Sequence, residues 1–367
     1  MTTTSFDYRY MLYGLCLASN RPRPNALHAH AAPATNKISD GAPDMTVDFV
    51  GDRLHFSAYA DLSWSILREH VGPDATLQIA VAPTPRGQAH RICLINDPDY
   101  LAVTALPDDQ GQPSRVEVHW HNRQQSTDEH WYNMASWVFD VALSYMMRLR
   151  IPANLHGGAV AMAGKAVVFV GEKSMGKSTL TAALIGAGYP MLTDDHVALW
   201  PRDGGFWVEP GAPRLRLWPT SLSVLDDGQG ETEDLPAVYT FLDKRIKHLR
   251  PSHANEPGEH QATALPLGAI YVLQPRDPAR DAPEIVRLST KAALHELWAR
   301  RYSTVSVSSE QAAAELAMLA QVAQQTRICY LHRPDGLETL PQVIAAMRAD
   351  IAASAVTKAI VTKADVA

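Results

Sequence analysis

The sequence has little of what would place the protein outside the cell, in a membrane or on nucleic acid. Its 3 cysteines are odd in number, lie far apart and lack metal-ligand spacing, so we expect reduced thiols in a cytoplasmic protein. No stretch is long and apolar enough to span a bilayer, and we expect no membrane partner. A formal net charge of −6 argues against a general nucleic-acid binder, so no nucleic-acid partner is expected either.

One apolar segment near the N-terminus resembles the core of a secretion signal. Residues 10–18 (YMLYGLCLA) are short and interrupted by Gly14, Asp7 precedes them, and no small-residue cleavage site follows. We therefore predict that this segment is a strand or short helix packed on the core.

The composition predicts a folded chain with a sizeable core, divided into two domains or built as one elaborated α/β domain. The chain has 367 residues, of which 46% are hydrophobic and 20% charged. Short alternating runs separated by turn residues predict a β-rich N-terminal domain over residues 1–125, with a flexible Pro- and Ala-rich loop at 20–44. Residues 126–355 are predicted as a second domain, which begins with a long helix, and residues 356–367 as a frayed tail.

The strongest motif is a phosphate-binding loop, G-x-x-x-x-G-K-S, between a predicted strand and a predicted helix. A β-branched apolar run at 166–170 reads as a buried strand, and residues 177–187 have helical spacing and stop at Gly188. Glycines let the backbone N–H groups approach phosphate, a lysine supplies charge, and the following serine can bind Mg²⁺. The residues predicted to bind the nucleotide are Gly171, Glu172, Lys173, Ser174, Met175, Gly176, Lys177, Ser178 and Thr179.

An acidic pair follows the loop after only one helix. A short apolar strand at 190–193 ends in Asp194 and Asp195, and Asp194 follows Lys177 by 17 residues. Two adjacent carboxylates at a strand end point in different directions. One can therefore hold the metal while the other orients an acceptor hydroxyl and accepts its proton.

The pattern LHGGAV, GEKSMGKST and LTDDHVAL over residues 155–199 resembles the HPr kinase/phosphorylase family and, more remotely, the ATP-dependent phosphoenolpyruvate carboxykinases. The resemblance implies an α/β fold with a phosphate-loop core on a mixed sheet, using ATP and Mg²⁺. It favours Asp195 as catalytic base and Asp194, with Ser178, on the metal, although the residues alone leave the order of the two acids open. Lys177 is expected to act on the phosphates during transfer.

His156, just before the loop strand, has three interpretations. The resemblance to HPr kinases makes it an active-site residue near the transferred phosphate, and the resemblance to carboxykinases makes it a metal ligand. A buried, hydrogen-bonded core histidine is the third. We expect the first.

Looser motifs along most of the chain are similar to the HPr-kinase-like proteins of bacterial peptide natural-product pathways, notably the lasso peptide kinases. That resemblance implies a kinase whose acceptor is the C-terminal serine of a precursor peptide. The downstream glutamate–arginine signature of HPr kinases is missing from the sequence, so the resemblance alone gives no ground to expect phosphorolysis, HPr as the substrate or a hexamer.

Four basic residues are candidates for the acceptor site. Arg214 and Arg216 alternate with leucines, so both face one side of an extended segment, either near the phosphates or on a solvated strand edge. Lys244 and Arg245 are suggested by the family resemblance, with a solvated turn as the alternative.

We therefore expect an ATP-dependent serine kinase acting on a precursor peptide or small protein, and a homo-oligomer is possible. An HPr-like protein serine kinase and a nucleotide-binding regulatory module without transfer activity are the alternatives. The acid pair favours an enzyme, because a binding module does not need a second carboxylate beside the metal. A carboxykinase is disfavoured, since that resemblance is confined to the core motifs.

Overall fold

A computed structural model describes residues 5–21, 42–51, 59, 61–73, 75–96, 99–121, 127–222, 235–252, 258–302 and 309–364. The chain forms two compact units. The first comprises Met1–Ile151, Ala237–Asp243 and Ser303–Ala312, and the second Pro152–Pro236, Lys244–Tyr302 and Ala313–Ala367. No helix in the described part of the chain is long and apolar enough to cross a membrane.

The first unit is built on a mixed eight-stranded sheet in the order β1-β2-β3-β8-β7-β6-β5-β4. Strand β3 pairs in parallel with β2 and β8, and the other neighbours are antiparallel. The strands are β1 Tyr8–Leu12, β2 Leu15–Ser19, β3 Met45–Gly51, β4 Ser65–Val71, β5 Thr76–Thr84, β6 Gly87–Asn96, β7 Asp99–Pro107 and β8 Pro113–His121, and β15 Ala237–Tyr239 also belongs to this unit.

A helical segment completes this unit. It consists of α1 (Asp128–Trp137), one π-helical turn at Val138–Ala142 and α2 (Leu143–Arg148). Phe49 of β3 stacks on Phe139 at a ring-centroid distance of 5.9 Å, so the helical segment packs on the sheet.

This packing explains where the domain boundary falls. We expected the boundary at residue 125, whereas the helical segment that follows belongs to the first unit, up to Ile151. Its aromatic stripe covers the sheet of that unit. Residues 10–18, which could have been helix or strand, contribute to the hairpin β1–β2.

The second unit contains a seven-strand path, β10-β9-β12-β13-β17-β19-β18. Strand β10 also pairs with β17, which closes the first five strands into a ring. Strands β10, β17 and β19 run parallel, and β9 runs antiparallel to β10, so the sheet is mixed. The strands of this sheet are β9 Ala153–Met162, β10 Lys165–Val170, β11 Met191–Thr193, which pairs with β9, β12 His196–Arg202, β13 Gly205–Val208, β17 Leu265–Asp277, β18 Glu284–Arg287 and β19 Arg327–Pro334. Outside this sheet, β14 Arg214–Leu217 pairs antiparallel with β16 Leu242–His248, which begins in the first unit.

Helices cover this sheet. They are α3 Lys177–Gly186, α4 Pro219–Leu222, α5 Thr290–Ala299, α6 Ser309–Gln325, which begins in the first unit, and α7 Leu340–Ala364, with a 3₁₀ turn at Leu337–Thr339. Apolar side chains of β10 alternate between two buried clusters, Val168 and Val170 in one and Val167 and Phe169 in the other. A strand buried on both faces accounts for its unbroken apolar run.

Two segments, residues 20–44 and 356–367, were predicted to lack regular structure. Most of the loop predicted at 20–44 lies outside the described residues. The tail predicted to fray from residue 356 is helical as far as Ala364. Residues 356–364 contain no glycine or proline that would end α7 earlier.

Candidate functional site

A glycine-rich loop, residues 171–176, joins the end of β10 to the start of α3, in the order that the sequence predicts. Two loop residues are left-handed, Ser174 with φ 69° and Gly176 with φ 80°. Gly176 is the N-cap of α3, and its carbonyl accepts a hydrogen bond from the Leu180 N–H at 2.9 Å. The loop thus presents backbone N–H groups at the positive end of a helix, an arrangement that binds anions.

Lys177 is folded onto this loop. Its Nζ donates to the carbonyl oxygens of Gly171 at 2.9 Å and Glu172 at 3.0 Å. Burial lowers the pKa of Lys177, while Asp195 and Asp194 act in the opposite direction. The ammonium is therefore held at the mouth of the loop, between the backbone and two acids.

Ser178 and Asp194 are neighbours. The Ser178 hydroxyl donates to Oδ1 of Asp194 at 3.1 Å, and the N–H of Arg216 approaches Oδ2 at 3.4 Å. Burial raises the pKa of Asp194, against the opposing effect of Arg216. A hydroxyl beside a carboxylate fits Mg²⁺, which binds oxygen ligands and takes its remaining positions from phosphates and water. No cluster of three or more His, Cys, Asp or Glu side chains suitable for a metal occurs among the described residues.

Asp195 has a strained backbone and two side-chain partners. Its φ is 74°, which is unusual for a residue other than glycine. One carboxylate oxygen lies 2.7 Å from Nη2 of Arg216 and the other 3.3 Å from Nδ1 of His156. Burial alone would raise the pKa of Asp195, but Arg216, His156 and Lys244 hold it well below its usual range. Asp195 is therefore a fixed, ionised carboxylate.

His156 lies against Asp195 and is not a fully buried core histidine. Its side chain is 34% exposed, and its Nδ1 lies 3.0 Å from the Asp195 carbonyl oxygen. A carbonyl only accepts, so Nδ1 carries the proton. Burial lowers the pKa of His156, while Asp195 raises it. A neutral imidazole with Nε2 as an acceptor fits this environment.

The four basic candidates separate into two pairs. Arg216 contacts both acids, and Lys244 interacts electrostatically with both. Burial lowers the pKa of Lys244, and the charge of Arg216 lowers it further. Arg214 lies two residues before Arg216 on β14, at the position paired with His248. Arg245 alternates with Lys244 along β16 and pairs with Leu217, on the opposite face.

The remaining loop residues surround the anion-binding backbone. Glu172, Lys173 and Ser174 are exposed, and Met175 is half-buried. Thr179, one residue beyond Ser178, shares a 2.8 Å hydrogen bond with the hydroxyl of Ser221 in α4. The charge of Lys173 contributes to the lowered pKa of Lys244.

One site residue was missed by sequence reasoning. Arg333, at the end of β19, is 4% exposed and donates from Nη2 to the carbonyl oxygens of Met175 at 2.8 Å and Gln274 at 3.1 Å. The signal available was the short apolar run at 328–331 just before it, which is typical of a buried strand. The carboxyl ends of parallel strands meet at one edge, which is where the loop also lies.

The chain was compared with family models, curated proteins and solved structures, and only the last give matches. No protein-family model matches the chain, and no curated protein matches it. A solved structure of the Hpr(Ser) kinase/phosphatase from Coxiella burnetii aligns with 12% sequence identity and a TM-score of 0.29. The alignment covers 55% of this chain and 98% of that chain.

Proposed function

We propose that the second unit binds ATP with Mg²⁺ and transfers the γ-phosphoryl group to a serine hydroxyl. The observation that carries this proposal is the placement of Asp194 beside Ser178 and of Asp195 beside His156, both next to the glycine-rich loop. One acid has a metal-binding partner and the other does not. Two carboxylates with different partners fit a reaction that needs both a metal and an acceptor-orienting base.

The residues divide the work as follows. The loop N–H groups and Lys177 would hold the phosphates, and Ser178 and Asp194 would hold Mg²⁺, which would supply positive charge beside the phosphoryl oxygens. The serine oxygen bonds to the γ-phosphorus, the bond to the β-phosphate oxygen breaks, and ADP leaves. Asp195 orients the hydroxyl and accepts its proton.

The lowered pKa of Asp195 is compatible with this role. Phosphoryl transfer passes through a loose transition state, so the acceptor needs little activation before bond formation. A carboxylate fixed by Arg216 and His156 contributes mainly through orientation. The proton can be taken late, when the hydroxyl has become acidic.

The proposed acceptor is the C-terminal serine of a precursor peptide. Arg216 and Lys244 give the acid pair a cationic border, and cations at this place suit an acceptor that carries its own carboxylate. An internal serine of a small protein such as HPr is the second candidate acceptor. An oligomer of this chain is compatible with either.

The test is direct. The full-length protein is incubated with γ-labelled ATP, Mg²⁺ and candidate precursor peptides encoded beside the gene, and mass spectrometry locates any added phosphate. Lys177→Ala should abolish transfer and ATP-dependent thermal stabilisation, because a cation on the β- and γ-phosphates is lost. Lys291→Ala, an exposed lysine at the start of α5, is the matched control.

The outcomes separate the alternatives. ATP binding without transfer to any peptide or protein acceptor would favour a nucleotide-binding regulatory module. Unchanged ATP affinity in Lys177→Ala would contradict the phosphate-loop assignment itself.

A further inference from the structure

An exposed indole lies on the same face of β14 as the arginine that contacts the acid pair. Trp218 follows the last residue of this strand and is 47% exposed, whereas Leu215 and Leu217 are buried in an apolar cluster. Successive side chains of a strand point to opposite faces, so Trp218 shares the face on which Arg216 contacts Asp195. The indole is therefore open to solvent, two residues along the chain from a group that holds the acids.

The neighbouring strand places a cation beside this ring. Leu217 of β14 pairs with Arg245 of β16, so the next position of the same register sets Trp218 opposite Lys244. The Nζ atom of Lys244 lies 6.0 Å from the centroid of the indole ring, and the lysine is half-buried. Both residues belong to the second unit, as do the acids. Lys244 and Trp218 thus offer a cationic and an apolar contact side by side.

The backbone that carries Trp218 is tied to the helix of the glycine-rich loop. Pro219 follows it, and a proline restricts the backbone of the residue before it to extended conformations. The Trp218 carbonyl oxygen accepts the N–H of Ser221 at 2.8 Å, and the Ser221 hydroxyl shares a 2.8 Å hydrogen bond with Thr179 of α3. A tryptophan whose position is already fixed loses little conformational entropy when a ligand binds, and such residues carry much of the affinity in many interfaces.

The spacing of residues in a peptide decides which of its side chains can reach this ring. In the proposed function, the terminal serine of the acceptor has its hydroxyl at Asp195 and its carboxylate beside Arg216 and Lys244. The Cα atom of the preceding residue is about 3.8 Å from that of the serine. Its side chain can therefore reach a ring whose centroid lies 6.0 Å from Nζ of Lys244. Each residue further back in an extended peptide lies about 3.3–3.6 Å farther away.

We propose that Trp218 binds the side chain of the residue before the terminal serine, so that the protein selects acceptor peptides with an apolar or aromatic residue at that position. The inference rests on the proposed function and adds a specificity determinant to it. An apolar side chain removes the exposed indole from water, and an aromatic one can also stack on it. A basic side chain would be repelled by Arg216 and Lys244, and an acidic one would compete with the terminal carboxylate for Lys244.

A series of synthetic peptides tests this selection with the full-length protein, ATP and Mg²⁺. Each peptide ends in serine, and the peptides differ only in the preceding residue, which is phenylalanine, leucine, glycine or lysine. The kcat/KM of the phenylalanine and leucine peptides should exceed that of the glycine and lysine peptides about tenfold, as is usual when a hydrophobic contact distinguishes two substrates. Trp218→Ala should abolish the preference, by lowering kcat/KM for the phenylalanine and leucine peptides to that of the glycine peptide.

Two further variants make the comparison specific. Trp218→Phe keeps an aromatic ring and should retain most of the preference, so the test does not depend on the folding of the alanine variant. Tyr8→Ala is the matched control, because it removes an aromatic side chain that is 40% exposed on β1 of the first unit. It should leave the preference among the four peptides as it is.

Equal kcat/KM for all four peptides with the unaltered protein would overturn the inference while the proposed function stands. A loss in Trp218→Ala that is the same for every peptide would also overturn it, and a raised KM for ATP in that variant would assign the indole to the nucleotide. Transfer to none of the peptides would remove the proposed function, and this inference with it.

Discussion

Oδ2 of Asp195 lies 2.7 Å from Nη2 of Arg216, and the N–H of that same arginine faces Asp194. One residue of β14 therefore holds both members of the acid pair, which follow β11. The positions of the two carboxylates therefore depend on a strand that comes later in the chain. The main role of Arg216 is to position the acids and not to bind substrate.

Arg216→Ala should lower the turnover of transfer on the order of a hundredfold, because a reacting group displaced by about 1 Å can cost that much. The KM for ATP should change little, since the proposed phosphate ligands are the loop N–H groups and Lys177, not Arg216. Steady-state kinetics with a peptide ending in serine and with its amide measure both constants. Arg287→Ala, an exposed arginine on β18, is the control. If the loss appeared only with the carboxylate peptide, and as a raised KM, Arg216 would be a substrate residue instead.

The two acids should respond differently to removal of their charge. Asp195→Asn should retain ATP binding and reduce transfer by about two orders of magnitude or more, as loss of a general base does. Asp194→Asn should chiefly raise the Mg²⁺ concentration needed for half-maximal rate. Magnesium titrations of both variants make the comparison. Exchanged phenotypes would reverse the roles but keep the site.

Close packing explains why a glycine is found at position 158 in β9. A Cβ on Gly158 would lie 2.5 Å from Cε2 of Phe169 and 2.9 Å from Oγ1 of Thr181. Gly158→Ala should therefore destabilise the fold by about 1–3 kcal/mol, the usual cost of overpacking. Gly186→Ala is the matched control, since its added Cβ meets nothing within 4 Å and helix propensity favours alanine by up to about 1 kcal/mol. Urea unfolding at pH 7 should show a lower free energy of unfolding for Gly158→Ala and a higher one for Gly186→Ala. A decrease of similar size in both variants would contradict the packing argument.

His260 makes stability depend on pH. It is 4% exposed, and burial lowers its pKa to about 4 from the usual 6.5, against hydrogen bonds to the backbone of Leu192 and Gly211. The unfolded chain binds the proton more readily than the folded chain. The contribution of neutral His260 to the free energy of unfolding is therefore fully present above about pH 6.5 and is lost as the pH drops toward 4. The loss from this residue between pH 7 and pH 5 should be about 2 kcal/mol. Urea unfolding at both pH values should show a smaller difference in His260→Asn, and an equal difference would assign the effect to other groups.

The features that could be predicted from the sequence are those that depend only on residues close together along the chain. The apolar run of β10, the glycines of the loop and the helical spacing of α3 are local, and the structure has them in the expected order. The strand before Asp194 is local too, because a short apolar run ends at the acids. These features bring Lys177, Ser178, Asp194 and Asp195 to one end of the sheet.

What could not be predicted depends on pairings between distant segments. Arg333 and Met175 are separated by 158 positions, and no local pattern signals their hydrogen bond. The contacts of Asp195 with His156 on β9 and Arg216 on β14 join distant segments, and no local pattern signals them. The boundary after Ile151 depends on Phe139 packing against Phe49. Alternation did place Arg214 and Arg216 on one side, but it could not say which of them meets the acids.

Lys244 should bind the terminal carboxylate of the proposed acceptor, a peptide that ends in serine. Arg216 is engaged with Asp195, whereas Lys244 lies on β16 near both acids and also faces the Trp218 ring, with Nζ 6.0 Å from the ring centroid. Three peptides make the comparison: one ending in serine, its C-terminal amide, and the same peptide extended by one residue. The first should be phosphorylated with the lowest KM, because a half-buried ammonium can pair with a carboxylate placed beside the reacting hydroxyl.

Lys244→Met should then raise the KM for the first peptide about tenfold and leave the amide unchanged, since a hydrogen bond between charged groups contributes about 1.5–3 kcal/mol. Methionine keeps most of the length of the side chain that approaches Trp218, so packing is preserved while the charge is lost. Equal phosphorylation of all three peptides by the unaltered protein would rule out carboxylate recognition. The acceptor would then be an internal serine, and the cations around the acids would serve the phosphates alone.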